Sequence, residues 1–192
     1  MTREILGTIY LLLPLLGGAL AHGVCMRTGW LGALARPIDR GRTFRGRPLF
    51  GESKTFRGPI LVAAGGAAVW VLQRSVLHGV DAFAALELVD YATLPGIGFG
   101  ALACAAAELS ELPNSFMKRQ LGIKPGGTAR GAAGTLFYVL DQVDVLFGYW
   151  LVLGGAGFAT PMRVAVSALV VGGVHPLLTL AGYLLRMRPT PR

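Results

Sequence analysis

Four acidic residues occupy positions where an apolar chain should not carry them: Glu108 and Glu111, then Asp141 and Asp144. An acid at the centre of a bilayer costs on the order of 2.5–3.5 kcal/mol on insertion scales, so acids within apolar stretches usually mark a site. The members of each pair are three positions apart, which puts both on one helix face. Carboxylate pairs converging at one depth suit a hard cation such as Mg²⁺, which prefers oxygen ligands and retains water or phosphate. The plainer alternative is that these acids neutralise Lys118, Arg119 or Arg130 at the membrane interface.

Two basic loops offer complementary chemistry. The stretch Gly51 to Gly58 (GESKTFRG) combines flexible backbone, the hydroxyls of Ser53 and Thr55, and the cations Lys54 and Arg57. That set suits a polyphosphate. It is not a P-loop, because the pattern requires Gly where Ser53 stands and needs a preceding strand. Ser115 to Arg119 (SFMKR) repeats the ingredients just after Glu111, with Ser115, Lys118 and Arg119. Cations for phosphate oxygens beside acids for a metal describe a phosphate-transfer site. His22, His78 and His175 have no ligand spacing and are assigned no chemistry.

The elements that must position these residues are membrane helices. Of 192 residues, 53% are hydrophobic with 28 glycines in addition, only 15% are charged, and the mean hydropathy is +0.57. Soluble domains carry about 25% charged residues, so a disordered chain is excluded and a soluble globular one is disfavoured. Cys25 and Cys104 give neither a disulfide framework nor a zinc spacing. The net charge of +8 fits basic membrane loops better than nucleic acid, because the cations alternate with long uncharged stretches.

A spanning helix needs about 20 predominantly apolar residues. Five stretches qualify: Ile5 to Met26, Pro59 to Leu77, Thr93 to Leu112, Gly134 to Gly155 and Val164 to Leu185. The segment from Val80 to Tyr91, with Asp81, Glu87 and Asp90, reads as interfacial. The expected architecture is all-α and polytopic, with about five transmembrane helices. Fifteen of the 18 Lys and Arg residues fall on one side of this arrangement, leaving Arg3, Arg74 and Arg163. Basic loops are retained in the cytoplasm, so the N-terminus is expected outside, with the C-terminus and all four acids toward the cytoplasmic face of the cell membrane. Residues 1–21 also resemble a signal peptide ending Ala19-Leu20-Ala21. The apolar run continues through Val24, Cys25 and Met26, which favours a retained first span. Gly65-Gly66, the Gly96 to Gly100 run and Gly172-Gly173 read as helix-packing positions, not a nucleotide fingerprint.

With these residues in view, a family resemblance emerges. Glu111 to Arg119 (ELPNSFMKR), followed after a Gly/Pro-containing loop by Leu140 to Asp144 (LDQVD), resembles the signature of the CTP-dependent phosphatidate cytidylyltransferase superfamily. Pro37 to Arg42 (PIDRGR) and Leu49 to Gly58 (LFGESKTFRG) are similar to the CDP-archaeol synthase branch. The His-Gly-Gly stretch of the phosphatidate branch is replaced by Tyr138-Val139-Leu140, which favours the archaeol-type branch or a bacterial cousin.

The resemblance implies a single membrane-embedded cytidylyltransferase domain over residues 1–192. It would transfer CMP from CTP to a membrane lipid phosphate and release pyrophosphate. Asp141 and Asp144 match the family's metal-binding aspartates, and Glu111 stands where the family commonly has Asp. On this reading Mg²⁺ is held by Glu111, Asp141 and Asp144, while Lys118, Arg119, Lys54 and Arg57, with Ser53, Thr55 and Ser115, serve the nucleotide phosphates. No protein nucleophile is needed, because the lipid phosphate itself attacks the α-phosphorus. The alternatives are CDP-diacylglycerol synthesis from phosphatidate, a small ion or proton transporter using the intramembrane acids, and a non-catalytic membrane subunit.

The charge distribution carries a topological prediction. An Arg42→Cys variant in intact cells should resist an impermeant thiol reagent and react once the membrane is opened. Ready labelling from outside would invert the orientation.

Overall fold

The computed structural model describes residues 1–90, 96–127, 129 and 131–184. Five helices form its body: α1 (Thr2–Thr28), α2 (Arg57–Ser75), α4 (Gly96–Leu109), α6 (Gly131–Gly155) and α7 (Pro161–Leu184). Between them lie a small hairpin of β1 (Thr43–Phe44) and β2 (Arg47–Pro48), the single turn α3 (Asp81–Ala84), and the polar helix α5 (Glu111–Gln120). The body helices are apolar around their whole circumference, as expected of segments that face neighbours on one side and lipid on the other. Helix α1 packs on α2, α2 on α4, α4 on α6, α6 on α7, and α7 returns to α1. The result is a closed ring. Its core contains Leu11, Trp70, Ala103, Cys104, Ala107, Tyr149 and Leu153.

Four of the five expected spans are long and apolar enough to cross a membrane: α1, α2 with its following turn to Gly79, α6 and α7. The remaining one is α4, described over 14 residues from Gly96 to Leu109, about 21 Å at 1.5 Å per residue. Thr93 to Pro95 lie outside the described residues, as do Tyr91, Leu185 and the tail arginines Arg186, Arg188 and Arg192. At its other end the chain breaks at Ser110 and restarts as α5. Glu108 and Glu111 therefore belong to different helices and do not share one helix face as expected.

The segment after α2 forms no further span. Arg3 ties it to the start of α1, its guanidinium donating to the carbonyls of Ala85 (3.1 Å) and Glu87 (3.3 Å). Arg163 completes this polar end by donating to Glu4 at 3.0 Å. Arg3 and Arg163 are two of the three cations that the charge count left over. Small residues permit the tight crossings. A Cβ at Gly65 would lie 2.7 Å from the Gly17 carbonyl oxygen, one at Gly18 would lie 2.6 Å from that of Val62, and one at Gly100 would strike the Trp70 side chain at 2.7 Å. Gly172 and Gly173 differ from the expectation, since nothing among the described residues approaches within 4 Å of a Cβ built on them.

Pro14 lies inside α1. It lacks the N–H that would bond the carbonyl four residues earlier, which is that of Tyr10. The fully buried side chain of Gln73, from α2, donates to this carbonyl at 2.7 Å. The Tyr149 hydroxyl, from α6, donates to the next carbonyl, Leu11, at 2.5 Å. A backbone defect in one helix thus becomes the point at which three helices are joined.

An unsatisfied buried group costs about 1–3 kcal/mol. Gln73→Leu should therefore lower stability by about that amount in thermal unfolding of the detergent-solubilised protein. In a Pro14→Ala background, where the alanine restores the helical N–H, the same substitution should cost much less. Equal losses in both backgrounds would refute the pairing.

Candidate active site

The basic loop after α1 is folded back on itself before it reaches α2. Pro37 and Thr55 face each other in an antiparallel bridge, Ile38 N–H donates to the Lys54 carbonyl at 2.8 Å, and Phe56 N–H to that of Arg36 at 3.1 Å. The hairpin turns through Arg45 and Gly46, both at positive φ (52° and 76°), the geometry of a two-residue hairpin turn. It lies against α5. Phe44 meets Phe116 with ring centroids 5.8 Å apart, Arg47 donates to the Gln120 carbonyl, and Gln120 donates to Pro48 at 3.2 Å.

Helix α5 carries Glu111 in its first turn and Lys118 and Arg119 in its last, each matched to the helix dipole. Ser110, at the break, donates toward the carbonyls of Ala107 (2.6 Å) and Asp144 (2.7 Å), which fixes α5 against α6. Glu111, Asn114 and Lys118 are spaced by three and four positions and so share one face. That face meets Asp141 and Asp144. The Asn114 amide donates to Asp141 Oδ1 at 2.7 Å and to Asp144 Oδ2 at 2.8 Å, bridging the two carboxylates. The Lys118 ammonium pairs with Asp141 and lies over the Phe137 ring, 5.6 Å from its centroid.

Lys54 enters from the other side and pairs with Glu111. Glu108 lies where α4 crosses the start of α2, its carboxyl filling the space left by the missing side chain of Gly58. Burial works to lower the Lys54 pKa, but Glu111, with Glu108 and Asp144 behind it, outweighs burial and raises the value above the ordinary lysine range. Four carboxyl groups and two ammonium groups thus converge.

The remaining expected site residues divide. Ser115 and Arg119 are buried on α5. Arg119 donates to the Ile123 carbonyl at 2.5 Å, its Nε has no partner among the described residues, and burial lowers its pKa. Arg57 heads α2 but turns its guanidinium toward Met26 Sδ on α1, away from the acids. Ser53 is exposed, and Thr55 contributes its backbone to the bridge with Pro37. Arg130 lies outside the described residues.

Among the described residues, no three Asp, Glu, His or Cys side chains are grouped closely enough to hold a metal ion. Yet Asp144 Oδ1 and Asn114 Oδ1 are buried acceptors with no donor among the described residues, which fits a hard cation. Sequence reasoning missed Asn114. Its signal was present in the spacing to Glu111 and Lys118, but a neutral amide draws less notice than a charge.

The chain is similar to known proteins along most of its length. A family model described as "CarS-like: CDP-archaeol synthase" matches residues 1–191. The CDP-archaeol synthase of Hyperthermus butylicus is 33% identical over 157 residues, covering 81% of this chain and 80% of that protein. The protein of the same name from Archaeoglobus fulgidus is 27% identical over 205 residues, covering 100% and 99%. A solved structure, described as "Structural insight into an intramembrane enzyme for archaeal membrane lipids biosynthesis", is similar with a TM-score of 0.57 and 27% identity, over 87% of this chain and 89% of that one.

The bridging amide carries a prediction. Asn114→Leu conserves volume but removes the amide between two facing carboxylates and leaves Asp144 without its donor, so it should lower the unfolding midpoint of the purified protein. Adding Asp144→Asn removes one of those charges and should recover part of the loss. Strictly additive losses would mean that Asn114 does not bridge the pair.

Proposed function

The chain belongs to the CDP-archaeol synthase family, and we propose that the cluster of Lys54, Glu111, Asn114, Lys118, Asp141 and Asp144 is its catalytic site. The protein is a multi-pass membrane enzyme, a CTP-dependent cytidylyltransferase that transfers CMP from CTP to a membrane lipid phosphate and releases pyrophosphate. This activity ranks above the transporter and non-catalytic alternatives.

The observation that carries the site assignment is the Asn114 bridge. It holds Asp141 and Asp144 together at one depth while leaving one oxygen of Asp144 and one of Asn114 without donors. Asp144, with Asn114 Oδ1 beside it, would begin the Mg²⁺ site, and Asp141 and Glu111 would join it once Lys118 and Lys54 release them. When bound there, Mg²⁺ supplies neutralisation of the CTP phosphates and of the charge developing on the leaving pyrophosphate.

The protein's own groups do the rest. Lys118 and Lys54, now paired with Asp141 and Glu111, are positioned to exchange these partners for phosphate oxygens. Arg119, with an unpartnered Nε, is a further phosphate donor. An oxygen of the lipid phosphate forms the new bond to the α-phosphorus, and the bond to the β-phosphate oxygen breaks with its electron pair leaving on pyrophosphate. Arg57, turned toward Met26, serves the nucleotide only if its side chain reorients. Ser53, Thr55 and Ser115 remain proposed phosphate contacts.

We place the site at the cytoplasmic face of the cell membrane, where a soluble nucleotide and a lipid headgroup can meet, on the distribution of basic residues. The basic loop, α5 and the four acids lie together at one end of the bundle, while Arg3, Glu4, Glu87 and Arg163 lie at the other. An ether-linked isoprenoid lipid phosphate is the proposed acceptor, in keeping with the family.

The deciding experiment incubates purified protein with labelled CTP, Mg²⁺ and a panel containing ether-linked and ester-linked lipid phosphates. A CDP-lipid should form, most rapidly from the ether-linked acceptor. Asp141→Asn and Asp144→Asn should each reduce turnover by orders of magnitude while the protein still accumulates in the membrane. Near-normal rates for both variants would remove the metal assignment, and a faster ester-linked acceptor would reverse the lipid assignment.

A further inference from the structure

One acid of the basic loop is buried like a core residue yet stands apart from the acid cluster. Asp39 is only 5% exposed. Its Oδ2 accepts the backbone N–H groups of Phe50 (2.9 Å) and Gly51 (2.8 Å), and its Oδ1 accepts that of Gly41 (3.0 Å). Burial disfavours the charge, but the three N–H donors outweigh it and hold the carboxyl below its ordinary range.

These bonds lie at the root of the turn that delivers Lys54. Gly51 accepts the Lys54 N–H at 3.2 Å, and the Lys54 carbonyl in turn accepts Ile38 N–H, immediately before Asp39. Gly51 has a φ of +87° and is pressed against the end of α5. A Cβ there would meet Pro125 Cγ at 3.2 Å and Arg119 Cδ at 3.4 Å. The hairpin, by contrast, has its own contacts to α5 through Phe44, Arg47 and Gln120. What Asp39 alone fixes is the path of Phe50 and Gly51, and with it the point from which Lys54 departs.

We propose that Asp39 is the positioning residue for Lys54: its carboxylate gathers the amides of Gly41, Phe50 and Gly51 so that the Gly51–Lys54 turn presents the ammonium to Glu111 and to the phosphates of CTP. The proposal rests on the reading of Lys54 as a nucleotide-binding cation. The side chain of Asp39 bonds backbone amides of its own loop, so its effect runs through the turn.

The substitutions differ in what they remove. In Asp39→Asn the amide oxygen can still accept Phe50 and Gly51, but the amide nitrogen then faces the Gly41 N–H, donor against donor. Asp39→Ala loses all three bonds. The Michaelis constant for CTP should therefore rise several-fold in the Asn variant and about tenfold or more in the Ala variant, with turnover at saturating CTP changed less. Lys54→Met should raise the same constant, and Asp39→Ala combined with Lys54→Met should be no worse than Lys54→Met alone. The Asn variant, which keeps two of the three bonds, should lose less of the unfolding midpoint than the Ala variant, and it carries the test if the Ala variant does not fold. A normal constant in the Asp39 variants beside a raised one in Lys54→Met would overturn the proposal and leave the reading of Lys54 standing. Additive effects in the double variant would also overturn it, because Asp39 would then act by another route. An unchanged constant in Lys54→Met would remove the reading of Lys54 and the proposal with it.

Discussion

Placing four carboxyl groups at one end of an apolar helix bundle imposes a requirement that the rest of the chain must meet. An uncompensated buried charge costs several kcal/mol, far more than an exposed ion pair returns. The acids come from three helices: Glu108 from α4, Glu111 from α5, and Asp141 and Asp144 from α6. Their compensation comes from elsewhere. Lys118 is supplied by the same helix as Glu111, whereas Lys54 has to arrive from a loop more than fifty residues earlier in the chain. The basic loop is consequently more ordered than its composition suggests, with a bridge, a hairpin and a buried carboxylate where a solvated tether would have been enough to join two helices.

The same economy of polar groups governs the apolar interior. Pro14 opens one position in the hydrogen-bond ladder of α1, Gln73 of α2 answers it, and Tyr149 of α6 adds a second bond at the next carbonyl. Membrane interiors offer no water to accept such carbonyls, so every break has to be matched from within the protein. Small residues handle the remainder, letting α1, α2 and α4 approach until backbone nearly meets backbone. The bundle is held by close contact along its length and by a few directional bonds at depth.

Much of this was legible in the sequence. The apolar runs marked the helices, and the acids within them marked a polar cluster that the fold does bring together, because both signals are local and energetically costly. The break at Ser110 was passed over although Pro113 marks it: proline has no N–H for the carbonyl four residues earlier, that of Leu109, where α4 ends. The Ser110 hydroxyl, donating to the Asp144 carbonyl, then fastens the break to α6. Asn114 and Gln73 escaped for a different reason. A neutral amide has no periodicity and no charge, and its importance lies wholly in what faces it. Arg57 shows the limit of spacing as a guide to contacts: its neighbours in sequence include Lys54 and Thr55, while its neighbour in space is Met26.

The ring of helices has a consequence for how the protein is made. The bond between Arg163 and Glu4 spans 159 positions of sequence, and α7 is the last member to join α1. Helices enter the membrane in the order of synthesis, so α1 must wait with an open flank until nearly the whole chain has emerged. Long-range closure of this kind is slow, and the partly built bundle is exposed to wrong partners meanwhile. The acid cluster is spared that delay. Lys54, Glu111, Asn114, Lys118, Asp141 and Asp144 all precede α7, so their end of the bundle can assemble while the opposite end is still unclosed. The last helix then acts as a latch on a structure whose polar cluster is already in place.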